Sequence, residues 1–232
     1  MSYQPLSRAS KLERILEPEV MDTDEEADGY QAMDHSGPNT AFVERLVQLR
    51  AHDASSPHVL DIGCGPGQIP ILIAERIPNA HVTGVDLSPK MLAHAERARA
   101  ASHAADRVEF QLADAKGLPF EDGSFDVVCS NTILHHIPDP TFLLIEASRL
   151  LTPGGVLLIR DLYRPANQAE LDRLVETYAA DDTPHNRELF RASLHAALTI
   201  EELADIAPDA DLLDAEVVVD TDRHMSLQQA RE

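Results

Sequence analysis

The spacing of apolar positions in this chain changes period again and again. Between residues 59 and 161, short apolar runs suited to buried strands alternate with longer segments in which apolar residues recur every three or four positions. Residues 59–62, 81–87, 108–113, 126–131 and 156–161 predict strands, and the stretches opening at Gln68, Met91 and Thr141 predict helices. Ser88 before Pro89, and Asp139 before Pro140, are the cap-plus-proline pairs expected where helices begin. Such alternation predicts an α/β chain built on a doubly wound, mostly parallel sheet with right-handed crossovers.

The flanks read differently. Leu12, Ile15 and Leu16 predict a short helix ended by Pro18, and Asn39 predicts the cap of a helix carrying Phe42, Val43, Leu46, Val47 and Leu49. After residue 166, Leu171, Leu174, Val175 and Tyr178 share one helical face and Leu189, Phe190, Leu194 and Leu198 another. Thr199-Ile200-Glu201-Glu202 is a capping box. Residues 216–220 and 223–227 predict two closing strands turning at Thr221-Asp222, which with the five above makes a seven-stranded sheet. The organisation expected is an N-terminal helical cap or lid (1–56), a core (57–163), and extra C-terminal helices with closing strands of the same domain (164–232).

One stretch carries more than fold. Val59-Leu60-Asp61-Ile62-Gly63-Cys64-Gly65-Pro66-Gly67 is an apolar strand, an acid and three alternate glycines ahead of a helix. Glycines stand where the backbone turns sharply or a ligand approaches it closely. The spacing is neither G-x-G-x-x-G nor G-x-x-x-x-G-K-[ST], so neither the dinucleotide fingerprint nor the phosphate-binding P-loop is present. Asp61, just before the first glycine, directs negative charge toward the loop, which suits a cationic ligand better than a pyrophosphate.

Composition narrows the partners further. The net charge is −21, from 40 acids against 19 bases. Such a surface repels phosphate backbones and anionic membranes, so neither nucleic acid nor membrane is expected as a partner. The same acidity also serves solubility, as in a salt-rich cytoplasm. Two cysteines make no disulfide framework, no Cys/His spacing suggests a metal, and neither a signal peptide nor a membrane span is legible. A cytoplasmic protein is expected.

Successive predicted strands end in polar residues on one edge: Asp61, Asp86, Asp114 and Asn131. In an open parallel sheet ligands bind beyond the carboxyl ends of the strands. Asp86 is placed to accept from both hydroxyls of a ribose, and Asp114, beside Ala115, to accept from an exocyclic amine such as that of adenine. Each acid alone could equally be a helix cap or turn residue; together with the glycine loop they predict a nucleoside site.

This arrangement resembles the class I S-adenosylmethionine-dependent methyltransferases over residues 59–163. Beyond the glycine motif, the matching segments are Gly84-Val85-Asp86-Leu87-Ser88, Leu118-Pro119-Phe120, Phe125-Asp126-Val127-Val128 and Leu150-Leu151-Thr152-Pro153-Gly154-Gly155. Leu134-His135-His136-Ile137 looks like the small-molecule branch that includes quinone-precursor methyltransferases. The resemblance implies a Rossmann-like fold, S-adenosyl-L-methionine as cofactor and a small-molecule acceptor. It implies that Gly63, Cys64, Gly65 and Gly67 contact the methionine part, with Asp61 near its ammonium. Asp86 would bind ribose, Leu87 would pack on adenine, Asp114 and Ala115 would read the adenine edge, and Asn131 would border the methionyl group.

Methyl transfer is an in-line displacement that needs alignment and no metal. Where the acceptor carries a proton, a base helps, and His titrates near neutrality. His135 and His136 are the first candidates, with Asp161 next, while Tyr163, Tyr30 and His35 are candidates for contact with the acceptor. One of the two adjacent histidines is expected to pack away from the site, and Cys64 to act as a small filler rather than a nucleophile. Two other readings stay open, a protein that holds the cofactor without chemistry and transfer of another group from it. The apolar faces of the C-terminal helices could cover the domain itself or the second subunit of a homodimer.

Overall fold

A computed structural model describes residues 12–17, 36–50 and 55–231. The strands are β1 (His58–Ile62), β2 (His81–Asp86), β3 (Val108–Leu112), β4 (Phe125–Asn131), β5 (Leu151–Leu162), β6 (Glu216–Val219) and β7 (His224–Gln229). They form one seven-stranded sheet in the order β3-β2-β1-β4-β5-β7-β6. β1 to β5 pair in parallel, and β7 runs antiparallel between β5 and β6. The winding reverses between β1 and β4, which opens a crevice at the carboxyl ends of those strands.

The helices are α1 (Ser36–Leu49), α2 (Gln68–Arg76), α3 (Pro89–Ala100), α4 (Thr141–Leu150), α5 (Gln168–Tyr178), α6 (Pro184–Ala196) and α7 (Ile200–Ile206). Along β1, β4 and β5 the side chains sort by parity, because successive residues of a strand point to opposite faces. Val59, Val127, Cys129, Val156 and Leu158 meet Phe42 and Leu46 of α1 and Ile73 of α2. Leu60, Ile62, Val128, Leu157 and Ile159 meet Leu143, Leu144 and Ala147 of α4 and Leu203 of α7. Both faces are apolar because both are covered. Leu171, Leu174, Val175 and Leu194 of α5 and α6 pack with Leu162 in a third, smaller cluster. No helix among the described residues is long and apolar enough to cross a membrane.

Four expectations are corrected. Residues 12–17 are not helical. Their backbone bonds to other parts of the chain, Leu12 N to Ala166 O and Ile15 N to His195 O, in place of the i−4 carbonyls a helix would use. Ile15 and Leu16 are accordingly exposed, at 59% and 52%. Asn39 is not a cap either. α1 begins three residues earlier, and Asn39 lies inside it, donating from Nδ2 to Gln68 Oε1 at 2.9 Å. α1 itself is part of the core rather than a cover over one end of the domain, since its Phe42, Val43, Leu46 and Leu49 are buried. Finally, β5 begins at Leu151, because Phe125 pairs with Leu151 before a register shift leads to the Val127–Val156 pair.

That shift depends on Gly155. A Cβ there would stand 2.8 Å from Leu151 Cδ1 and 2.9 Å from each of the Asp126 and Thr152 carbonyl oxygens. Backbone oxygens cannot rotate away. Gly155→Ala is therefore expected to lower unfolding free energy by about 1–3 kcal/mol in urea denaturation. Gly117→Ala, where a Cβ meets nothing within 4 Å, is expected to stay within about 0.5 kcal/mol of the parent.

Candidate active site

The glycine loop is stitched to the end of β2. Gly63 N and Cys64 N both donate to Val85 O, at 2.8 and 2.9 Å. Asp86 then bridges loop and helix: its Oδ2 accepts from Gly65 N and its Oδ1 from Ser88 N, both at 2.8 Å. Burial raises the Asp86 pKa, against the lowering effect of the Ser88, Gly65 and Leu87 backbone N–H groups. The three loop glycines have different reasons. A Cβ at Gly63 would strike Ile133 at 2.5 Å, and one at Gly67 would strike Phe110 and Ala95 at 2.5 and 2.8 Å. At Gly65 it would meet nothing within 4 Å, so only there does the missing side chain leave room above the loop.

Two clefts of about 730 and 470 Å³ open beside this loop and share Gly63, Asp86 and Ile133 as wall. The first is bordered by Cys64, Gly65, Asn131, Thr132 and His136, and by Asn39 and Gln68 from α1 and α2. The second is bordered by Leu87, Asp114, Ala115, Lys116 and Ile137. Nine of the ten expected cofactor residues can thus be located at or beside one crevice: Gly63, Cys64, Gly65, Asp86, Leu87, Asp114, Ala115 and Asn131 line it, and Gly67 anchors the loop as the left-handed residue ahead of α2. Lys116 pairs with Asp114 Oδ1 at 3.0 Å through its ammonium. Burial would raise the Asp114 pKa, but the Lys116 backbone N–H and ammonium outweigh it and hold the carboxyl low. The loop bearing these residues is fastened from α4: Glu146 accepts from Leu118 N at 2.7 Å, and Arg149 donates to Leu118 O and Phe120 O.

The acceptor-side candidates separate. Of His135, His136 and Asp161, only His136 borders a cleft. His135 is 2% exposed and its Nδ1 lies 2.6 Å from Asp161 Oδ1. Burial opposes both charges, yet each is the other's partner, so His135 is held above and Asp161 below its ordinary pKa. Tyr163 lies outside both clefts: it packs on the main core cluster and its N–H donates to Arg223 O. Tyr30 and His35 fall outside the described residues.

Residues 53–208 match the methyltransferase domain family. The chain belongs to it. It is 39% identical over 136 residues to 27-O-demethylrifamycin SV methyltransferase of Amycolatopsis mediterranei (strain S699), covering 57% of this chain and 48% of that one. It is 32% identical over 166 residues to demethylmenaquinone methyltransferase of Symbiobacterium thermophilum, covering 70% and 64%. Among solved structures, phosphoethanolamine N-methyltransferase 2 of Haemonchus contortus in complex with S-adenosyl-L-methionine superposes with a TM-score of 0.62 at 28% identity, covering 80% of this chain and 39% of that one. The chain spans about half the length of the first of these curated relatives.

Several wall residues of this methyltransferase domain carried no signal in the sequence. Ile133 borders both clefts and roofs Gly63, and Thr132 holds a left-handed backbone (φ 64°) that is costly for a β-branched residue. A bulky residue after a strand ending in Asn is a weak sign of such a role. Asn39 and Gln68 meet only because α1 packs on α2.

Asp61 differs from its expected place. It shares a sheet face with Val59, opposite Cys129 in register, and is 1% exposed and outside both clefts. Its Oδ1 accepts from Cys129 Sγ at 3.6 Å, and its Oδ2 meets no hydrogen-bond donor among the described residues. Burial pushes its pKa up from 3.8 to about 7, with the Cys129 thiol opposing and Asp86 adding. The folded domain therefore keeps a proton on Asp61 that the unfolded chain has lost, and this contribution to stability fades as pH rises from the ordinary value toward 7 and beyond. Asp61→Asn, which mimics the protonated acid, is expected to gain on the parent by roughly 1.4 kcal/mol per unit of raised pKa as pH goes from about 4 to about 8. Urea denaturation across that range checks it, and parallel stability curves would contradict a protonated Asp61.

Proposed function

We propose that this chain transfers a methyl group from S-adenosylmethionine to a small-molecule acceptor. The observation that carries the reading is the Asp86 carboxylate at the switch point, tied to Gly65 and Ser88 and bordering both clefts. A carboxylate can accept about four hydrogen bonds, so Asp86 keeps capacity for a ribose hydroxyl after its backbone contacts. The open space over Gly65 suits the methionine part, and Leu87, Asp114 and Ala115 along the second cleft suit an adenine. Lys116, the one Lys or Arg among the described residues that borders either cleft, is paired with Asp114, which leaves the crevice poorly equipped for a phosphate and agrees with a cationic cofactor.

When bound, the cofactor supplies a methyl carbon already activated by its sulfonium. The chain's part is alignment, a contribution of about 7–11 kcal/mol in well-oriented systems. Residues 57–163 would hold the cofactor, with 164–232 completing the same domain. Asn131 and His136 would face the reacting end, while His135 and Asp161 act as positioning residues beneath His136. The relatives' names give acceptors as different as a rifamycin and a menaquinone precursor, so the acceptor does not follow from the domain. We take it to be an uncharged or cationic small molecule, in keeping with the net charge of −21.

Calorimetry with S-adenosylmethionine and S-adenosylhomocysteine is expected to give one saturable site. Asp86→Ala is expected to weaken it by at least about 100-fold, since hydrogen bonds to a charged group contribute about 1.5–3 kcal/mol each. Absence of binding to the parent protein would overturn the reading.

A further inference from the structure

Glu17, from the non-helical segment 12–17, reaches the two histidines after β4. Its Oε1 stands 3.3 Å from His135 Nε2 and 3.1 Å from His136 Nδ1, and the three donor atoms all lie within 4.8 Å of one another. The group is well enclosed, with side-chain exposures of 10% for Glu17, 2% for His135 and 21% for His136. One carboxylate oxygen thus faces two imidazole nitrogens. Ring N–H donors or one divalent cation can satisfy it.

Three features favour the cation. Two nitrogen ligands and one oxygen are the donor set of a borderline metal such as Zn²⁺, whose bonds of about 2.0–2.1 Å in tetrahedral geometry place neighbouring ligand atoms about 3.3 Å apart. Both Glu17 separations match that spacing. Second, Asp161 Oδ1 takes the Nδ1 side of His135, leaving Nε2 directed at Glu17. A carboxylate fixing the far nitrogen is the usual support of a metal-binding histidine. Asp161 is itself held, by His135 N on Oδ2 at 3.0 Å and Leu162 N on Oδ1 at 2.6 Å. Third, Glu17 is fastened where it stands. Ser193 Oγ donates to it, and Arg14, three residues earlier, donates to the carbonyl oxygens of Ala196, Pro138 and Ile137 at 2.7, 3.0 and 3.0 Å.

We propose that Glu17 Oε1, His135 Nε2 and His136 Nδ1 bind one divalent transition-metal cation of the Zn²⁺ class, with a fourth position for an oxygen ligand. His136 borders the first cleft, so that oxygen would come from water or from the acceptor. The cation site stands without the methyl-transfer reading; the identity of its oxygen ligand rests on that reading. With the cation bound, a hydroxyl of the acceptor would lose its proton to solvent under the pull of the metal, and the His136 ring would be a ligand rather than the base. No metal site is legible in the sequence, because the three ligands share no local spacing: Glu17 lies far from the two histidines along the chain.

The test is titration of the full-length, chelator-treated protein with Co²⁺, followed by its visible absorption, and with Zn²⁺ by calorimetry. One equivalent is expected, with the intense bands of a four-coordinate N/O site. Glu17→Gln and His136→Gln are each expected to weaken binding at least about 100-fold. Asp161→Asn, which leaves all three ligands in place, is expected to weaken it about 10- to 100-fold. S-adenosylmethionine binding by Glu17→Gln, together with its thermal unfolding, reports that the variant is folded. Should the parent bind no cofactor at all, unfolding alone serves, and the methyl-transfer reading fails separately. No saturable Co²⁺ binding, or stoichiometric binding unchanged in both ligand variants and so belonging to others of the 11 histidines, overturns the proposal.

Discussion

Covering both faces of the parallel sheet is the constraint from which the rest follows. β1, β4 and β5 carry apolar side chains on alternate faces because α1 and α2 lie on one side and α4 and α7 on the other. Polar groups then have few places to stand except beyond the strand ends, and the carboxyl ends of β1, β2 and β4 are where the chain places its glycine loop, Asp86 and Asn131. Asp61 is one of the exceptions. Placed inside, its carboxyl holds its proton to about pH 7.

Asp86 converts this geometry into a site. By accepting from both Gly65 and Ser88 it ties the glycine loop to the start of α3, so the crevice walls on either side of it share one anchor. A second anchor, Glu146 with Arg149, is remote from the crevice yet holds the loop that carries Asp114 and Ala115. Arg149 also reaches Asp122, and its own pKa is raised by these carboxylate hydrogen bonds. Rigid walls of this kind suit a reaction in which alignment is the main demand on the protein.

The opposite side of the crevice is held by charge. His135, fully enclosed, sits between Asp161 and Glu17, so the chain beyond β4 and the segment 12–17 are joined through one imidazole. Buried ion pairs of this sort add little net stability, because desolvation offsets much of their attraction, but breaking one leaves a costly unpaired charge. The arrangement therefore fixes position more than it adds to folding free energy. Glu17, whose pKa burial raises against the pull of His135, is the member most easily neutralised.

Periodicity and punctuation alone determined the alternation of strands and helices, the seven-strand count, the C-terminal helices and the polar edge with Gly63 to Gly67, Asp86 and Asp114. These are local matters: side-chain direction repeats every two or 3.6 residues, and caps and glycines act within a few positions. Tertiary structure decided what depends on distant partners. Residues 12–16 have a helical apolar stripe but form none, because Ala166 and His195 supply the backbone bonds. Asn39, read as a cap, became a partner of Gln68. Asp61, expected at the strand end facing the glycine loop, turned into the core because strand parity set its face. Glu17 met His135 and His136 only once the chain had folded, since contacts between remote segments leave no periodic trace in a sequence.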